Sequence, residues 1–283
     1  YGYTYRPERL YKAVAGWMMA RHGWSVDPEW IAFSPGVVPS LNLCVLGYTE
    51  PDDRVLIQPP VYHPFFSAVR DHGRKLVFNK LVKRDGRYEM DFEDLEKAFK
   101  AGIKMMLFCH PHNPVGRVWN RDELVRLAEL SLKYNVLLVS DEIHSDLLLF
   151  GHRHIPLSTL GSDIAARTIT CVAPSKTFNL AGLHSSALII PDKDLKKVYE
   201  KELNKMHIGG GNLFGMVAME AAYKEGAEWL GQLIRYLEQN ARFLYDFIEA
   251  EIPQISVSPL EATYLAWLDF SVLNMTDKEL KDF

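Results

Sequence analysis

No uninterrupted apolar run in this sequence reaches the ~20 residues of a membrane-spanning helix, and no signal-peptide pattern opens the chain. A basic excess is missing too. Lys and Arg number 32 against 36 Asp and Glu, a net charge of -4, which removes the bulk signature of nucleic-acid binding and leaves no acidic tail. Cysteine is scarce: Cys44, Cys109 and Cys171 are odd in number, scattered, and each in or beside an apolar run. That pattern argues for buried free thiols in a reducing cytoplasm rather than for a disulfide framework. Internal repeats and low-complexity linkers are absent. So are GxGxxG and GxxxxGK[ST] fingerprints after a strand; "IGGGN" (208 to 212) fits neither and reads as a loop bending over a site mouth.

What the 283 residues do contain is 48% hydrophobic content, enough for a substantial core in one or two domains. Strand-like runs recur: "WIAFSPG", "RVLIQPPVY", "KMMLFCHPHNP", "VLLVSDEIH", "TITCVAPSK" and "SSALIIP". Helical patterns lie between several of them. In "RDELVRLAELSLKYN" the apolar Leu124, Leu127, Leu130 and Tyr134 recur at three and four residues, with Asn120 placed to cap the start. Strand and helix in alternation predict an α/β fold, a mostly parallel sheet sandwiched by helices. The last two runs have no room for a crossover helix between them, which allows an antiparallel pair. After Gly226 the pattern changes. "AEWLGQLIRYLEQNARFLYDFIEAEIP" reads as one long helix leaving the sheet domain, and "ATYLAWLDF" as a strand of a second unit. The expected division is a large domain over 1–228 and the start of a smaller α/β domain over 229–283, left incomplete, so that the chain reads as a fragment.

Most strand-like runs end in polar or turn residues, and open α/β sheets bind ligands beyond the carboxyl ends of their strands. Asn113, Asp141 and Lys176 should therefore converge, with Tyr62 nearby. A lysine between two runs that read as buried on both faces is costly unless it is used. An amine there can form a Schiff base with an aldehyde. Pyridoxal phosphate needs such an amine, a carboxylate at its ring nitrogen, a donor at its phenolic oxygen and an aromatic face to stack on. Alone, Lys176 could be a snorkelling strand-end lysine, Asp141-Glu142 a helix-start pair, and Asn113-Pro114 an ordinary turn. Jointly these bland readings fail. The histidine pairs His110/His112 and His152/His154 lack a carboxylate or cysteine pattern that would complete a metal's ligands, and no metal is expected.

Here the sequence resembles a family. "HPHNPVGRVW", "VSDEIHSDLL" and "APSKTFNLAGL", in this order, are similar to the motifs of fold-type I pyridoxal-phosphate enzymes of the class I/II aminotransferase superfamily. The match is closest to its cystathionine β-lyase, or C–S lyase, branch and runs from "GYTYRPE" to "ATYLAWLDF". The resemblance implies that Lys176 carries the cofactor and shuttles the substrate's Cα proton. It implies that Asp141 pairs with the ring nitrogen, that Asn113 bonds the phenolic oxygen and that Tyr62 stacks on the ring. Backbone amides of Gly36, Val37 and Val38 would meet the phosphate, as at other helix starts, with Ser175 adding a hydroxyl. Tyr3 would reach a neighbouring subunit's phosphate, implying a homodimer with shared sites. His144 stands where aminotransferases commonly have tyrosine, as in the lyase branch. His184 replaces a phosphate-binding arginine, and Ala173 a hydroxyl residue. The implied reaction is β-elimination from cystathionine, cysteine or a cysteine S-conjugate to thiol, pyruvate and ammonia. The alternatives are an amino-acid aminotransferase and a regulatory or binding module on the same fold.

Overall fold

The computed structural model describes residues 8–282. All six strand-like runs form strands of one seven-stranded sheet. In chain order these are β1 (Ile31–Ser34), β2 (Arg54–Ile57), β3 (Lys75–Phe78), a separate hairpin β4 (Val82–Arg84) and β5 (Arg87–Glu89), then β6 (Met105–Cys109), β7 (Leu137–Asp141), β8 (Thr168–Val172) and β9 (Ser186–Ile189). The sheet runs β1-β9-β8-β7-β6-β2-β3. From β3 to β8 every pairing is parallel, while β9 is antiparallel to both β8 and β1. The expected antiparallel pair is thus present. β3 was not expected: it is an edge strand whose residues are exposed or half-buried, so it carries a weaker apolar signal than the central strands.

Alternate residues of the central strands serve opposite faces, as the pleat requires. Met105, Leu107, Cys109 and Val139 pack with Leu41, Val45, Phe65 and Tyr199 from the helices Val37–Tyr48, Pro64–Arg70 and Lys193–Lys205. Met106, Phe108 and Leu138 instead pack with Leu95, Phe99, Leu124 and Leu127 of the helices Phe92–Lys100 and Arg121–Lys133. The second of those helices starts where its cap predicts. Asn120 Oδ1 accepts from the Glu123 amide at 3.0 Å, and Glu123 Oε2 accepts from the Asn120 amide at 2.8 Å, a reciprocal capping box. A third cluster joins the helix Glu8–His22 to the β1, β8 and β9 end through Leu10, Val14, Trp17, Phe33, Val172 and Ile189.

The amphipathic stretch after Gly226 is a single helix, Ala227–Glu251. "ATYLAWLDF" is a strand for only part of its length. Strand β10 (Ser256–Val257) pairs with β11 (Leu268–Asp269), and Thr263 turns the chain at φ 72° before that. The residues before the turn bond elsewhere. Both Glu261 and Ala262 amides donate to Gly116 O at 3.1 Å, and the Thr263 amide donates to Leu147 O at 2.8 Å.

Glu261 fixes this crossing. Its carboxylate, buried, accepts from Arg117 Nη1 at 2.9 Å, from the Val118 amide at 2.7 Å and from Arg87 Nε at 2.8 Å. Arg117 is 1% exposed; it also pairs with Glu123 at 2.6 Å and donates to Tyr88 O at 2.7 Å. A buried guanidinium that loses a charged partner costs more than an exposed pair is worth. Glu261→Gln is expected to lower unfolding free energy by about 2–4 kcal/mol in urea titration. Asp269→Asn, at the more exposed pair with Lys83, is expected to cost under about 1 kcal/mol.

Candidate active site

Parallel pairing sets the site. Cys109, the last residue of β6, is level with Asp141 on β7, and Asp141 is level with Cys171 on β8. The chain segments that leave these strands therefore start from one line across the sheet. They carry Asn113, His144 and Lys176 respectively, and a cavity of about 360 Å³ opens among them. Its lining includes Gly36, Val37, Val38, Tyr62, Asn113, Asp141, His144, Ser175 and Lys176. Every candidate named from the sequence is there except Tyr3, which lies outside the described residues.

Each wall has a local cause. On one side β1 ends at Ser34 and the helix Val37–Tyr48 begins, with Gly36 as its N-cap. Ser34 Oγ and Ser40 Oγ both donate to Gly36 O, at 3.1 and 2.8 Å, and hold that corner. The first-turn amides of Val37 and Val38 have no carbonyl of their own helix to bond, so they offer donors to an anion. Opposite, the Tyr62 amide donates to Asn113 O at 3.0 Å, which ties the tyrosine's loop to the asparagine's. The Asn113 amide in turn contacts Cys109 Sγ at 3.3 Å.

Asp141 is buried on the cavity floor, and among the described residues it has no ion-pair partner. Burial pushes its pKa up to about 7, and the charge of Glu142 adds to the rise. The Ile143 amide, donating to Oδ1 at 3.1 Å, and the Lys176 ammonium pull the other way. His144 behaves in the opposite sense. Burial, then the Lys176 charge, lowers it to about 3, so the imidazole is neutral at ordinary pH. Its Nε2 lies 3.4 Å from Asn113 Nδ2, and its buried Nδ1 finds no partner among the described residues. Tyr264 packs edge-on to the ring at 5.8 Å. Lys176 sits in the four-residue helical turn Pro174–Thr177, and its side chain makes no hydrogen bond or ion pair among the described residues.

These are the marks of a site built to hold something. Among the described residues, a buried carboxylate without an ion-pair partner, an amine without a hydrogen-bond acceptor and helix-start amides without carbonyl partners share one cavity. The set suits a ligand with an aldehyde, an aromatic cation and an anionic group. Pyridoxal phosphate is such a molecule, and the residues present fit it.

Sequence reasoning missed Cys109, Ile143 and Ser185 in the lining. Cys109 was legible only through the register with Asp141. His184, noted above as a substitution for arginine, also lines the cavity, in left-handed backbone at φ 46°. One expectation is corrected: residues 208–212 do not line the cavity. The backbone at Gly211 (φ 68°) lies so close to Phe33 that a Cβ there would meet the ring at 2.7 Å, so the loop packs over the β1 end instead. Of the histidines in the two pairs, His110, His112 and His154 are buried and bonded within the fold. His112 Nε2 bonds Pro60 O at 2.8 Å, His110 Nε2 bonds Ile155 O at 3.1 Å, and His154 Nε2 meets Glu142 Oε2 at 2.7 Å.

Fold and cavity together place an amine, a carboxylate and helix-start amides at the carboxyl edge of a mostly parallel sheet. A sequence model of the family described as aminotransferase class I and II matches residues 1–282, and the chain belongs to that family. It is 47% identical over 282 residues to cystathionine β-lyase PatB of Bacillus subtilis (strain 168), covering 99% of this chain and 73% of that protein. It is 30% identical over 285 residues to protein MalY of Escherichia coli (strain K12), covering 99% and 72%. Cystalysin from Treponema denticola, solved with a pyridoxal 5'-phosphate cofactor, superposes with a TM-score of 0.96 at 40% identity, over 99% of this chain and 72% of that one. A pyridoxal-phosphate-bound C–S lyase from Staphylococcus hominis gives a TM-score of 0.90 at 36% identity, over 100% and 70%.

The raised pKa of Asp141 has a sign that can be tested. A carboxyl whose pKa rises from 3.8 unfolded to about 7 folded holds its proton longer in the fold. Its presence therefore erodes the stability of cofactor-free protein as pH rises from about 4 to about 7. Asp141→Asn is expected to stabilise the cofactor-free protein, by about 2 kcal/mol or more at pH 8 and by little at pH 4. Urea titrations at the two pH values check this, and the same variant should lose cofactor affinity.

Proposed function

We propose that this chain is a pyridoxal-phosphate-dependent C–S β-lyase that cleaves cystathionine, cysteine or cysteine S-conjugates to a thiol, pyruvate and ammonia. The observation that carries the reading is the meeting, in one cavity, of Lys176 and the buried Asp141, neither of which has an ion-pair partner among the described residues. Named C–S lyases among the relatives, at 47% and 36% identity, support the choice of reaction over transamination.

When bound, the cofactor supplies the electron sink that makes a substrate Cα–H bond acidic. The protein supplies the rest. Lys176 Nζ anchors the cofactor and is the base for the Cα proton. His144 is a poor rival for that role, because an imidazole held at about pKa 3 is too weak a base at neutral pH. The Asp141 carboxylate would keep the cofactor's ring nitrogen protonated, Asn113 Nδ2 would be the donor for its phenolic oxygen, and Tyr62 would offer an aromatic face to its ring. The amides of Val37 and Val38, at the turn made by Gly36, and the hydroxyl of Ser175 would hold the phosphate, where Ala173 offers no hydroxyl and His184 no arginine's fork.

Within this reading residues 1–228 form the cofactor-binding domain, and 229–283 belong to a smaller domain. A homodimer with shared sites is part of the proposal, supported by the apolar surface of Leu213, Phe214 and Val217, with Phe214 75% exposed. A cytoplasmic setting is supported by three buried free cysteines. No described helix is long and apolar enough to cross a membrane.

Purified protein given pyridoxal phosphate and L-cystathionine, with no 2-oxo acid, is expected to release pyruvate and a free thiol in equal amounts. Lys176→Ala should lower that rate at least about a thousandfold. Turnover that starts only when a 2-oxo acid is added would instead identify an aminotransferase.

A further inference from the structure

Behind the cavity lies a second buried carboxylate that the chemistry above does not use. Asp146 is 3% exposed and sits two residues beyond His144, in the same segment that leaves β7. A carboxylate so buried is costly unless donors saturate it, and here they do. Oδ1 accepts from Trp17 Nε1 at 3.1 Å and lies 3.0 Å from His22 Nε2. Oδ2 accepts from Trp17 Nε1 at 3.2 Å and from Thr177 Oγ1 at 3.0 Å. Arg21 adds a long ion pair at 3.9 Å and a bond to the Asp146 backbone carbonyl at 3.2 Å.

Thr177 is the residue after Lys176 and is itself fully buried. Their turn, Pro174–Thr177, has four residues. A helical piece that short cannot hold its own shape and takes its orientation from what it is anchored to. On this side the anchors are the Thr177 hydroxyl on Asp146 and the Phe178 ring, which packs edge-on to Trp17 at 5.6 Å. Trp17 is held in turn by Asp146 and by stacking on Tyr223 at 5.6 Å. The end of β7 and the segment that leaves it thus present Asp141 and His144 to the cavity and Asp146 to its rear.

We infer that Asp146 is a positioning residue for Lys176, acting through the hydroxyl of Thr177 to set the direction from which the amine enters the cavity. The inference rests on the reading of Lys176 as the cofactor's anchor. Small errors of aim at a reacting group cost large factors in rate, while binding of substrate elsewhere is spared.

The test replaces the hydroxyl and little else. Thr177→Val is close in shape and cannot donate; Thr177→Ser keeps the donor. Pyridoxal phosphate is added to cofactor-free protein, the growth of the visible band of the lysine-bound cofactor is timed, and kcat and KM are then measured with L-cystathionine. Thr177→Val is expected to slow band formation and to lower kcat, each about tenfold, with KM within about twofold; the melting temperature falls by a few degrees, because a buried carboxylate loses a donor. Thr177→Ser should recover both rates. Wild-type behaviour in Thr177→Val, or equal impairment in Thr177→Ser, overturns the inference. If the valine variant does not fold, Thr177→Ala and Thr177→Ser, which both lack the methyl, decide: slower band formation in alanine alone supports it, and equal rates overturn it. A wild-type protein that forms no band overturns the reading of Lys176 itself, and the inference with it.

Discussion

Everything at this site depends on the register of three parallel strands. Because Cys109, Asp141 and Cys171 stand level across β6, β7 and β8, three segments far apart in sequence leave the sheet from the same edge. A slip of one residue in any of them would turn its side chains to the opposite face. The register is strongly specified because both faces are buried. Leu107 and Val139 serve one layer of helices, Phe108 and Leu138 the other, and none can be exchanged without exposing an apolar side chain to the wrong surroundings. Packing far from the cavity therefore supplies the precision that the cavity needs.

The cavity itself is a place where the cofactor-free protein is less stable than it could be. Among the described residues Asp141 is buried without an ion-pair partner, Lys176 lacks a hydrogen-bond acceptor, and the buried His144 Nδ1 is unpaired. Elsewhere buried charge is met in full. Glu261 is shared between Arg117, Arg87 and an amide, and Glu142 accepts from Ser140 Oγ at 2.9 Å while facing His154. The contrast separates the two uses of buried polarity. The saturated carboxylates hold the chain in place, whereas Asp141 at the cavity is left for a ligand whose charge is its complement.

Much of this was legible in the sequence because the relevant signals are local. An apolar run ended by Asn113, Asp141 or Lys176 says that a strand stops at a polar residue, and ligand sites lie past strand ends. Asn120 and Glu123 announce a helix start within four residues. What was illegible is long-range. Asp146 meets Trp17 across 129 residues and His22 across 124, and no local pattern pairs them. Cys109 and Ser185 enter the lining only because the topology brings them there. β3 escaped because an edge strand need not be continuously apolar. The run "ATYLAWLDF" has a strand's composition, yet Thr263 turns it and the residues before the turn bond to Gly116 and Leu147, a choice made by tertiary contacts.

The central claim is that the amine at 176 is the one that bonds the cofactor, across a cavity from the carboxylate at 141. Borohydride reduction of the pyridoxal-phosphate-loaded protein fixes any such bond, and peptide mass mapping then reports which lysine carries the added mass. The account predicts one adduct per chain, on the peptide containing Lys176. An adduct on a different lysine, or none, would contradict it.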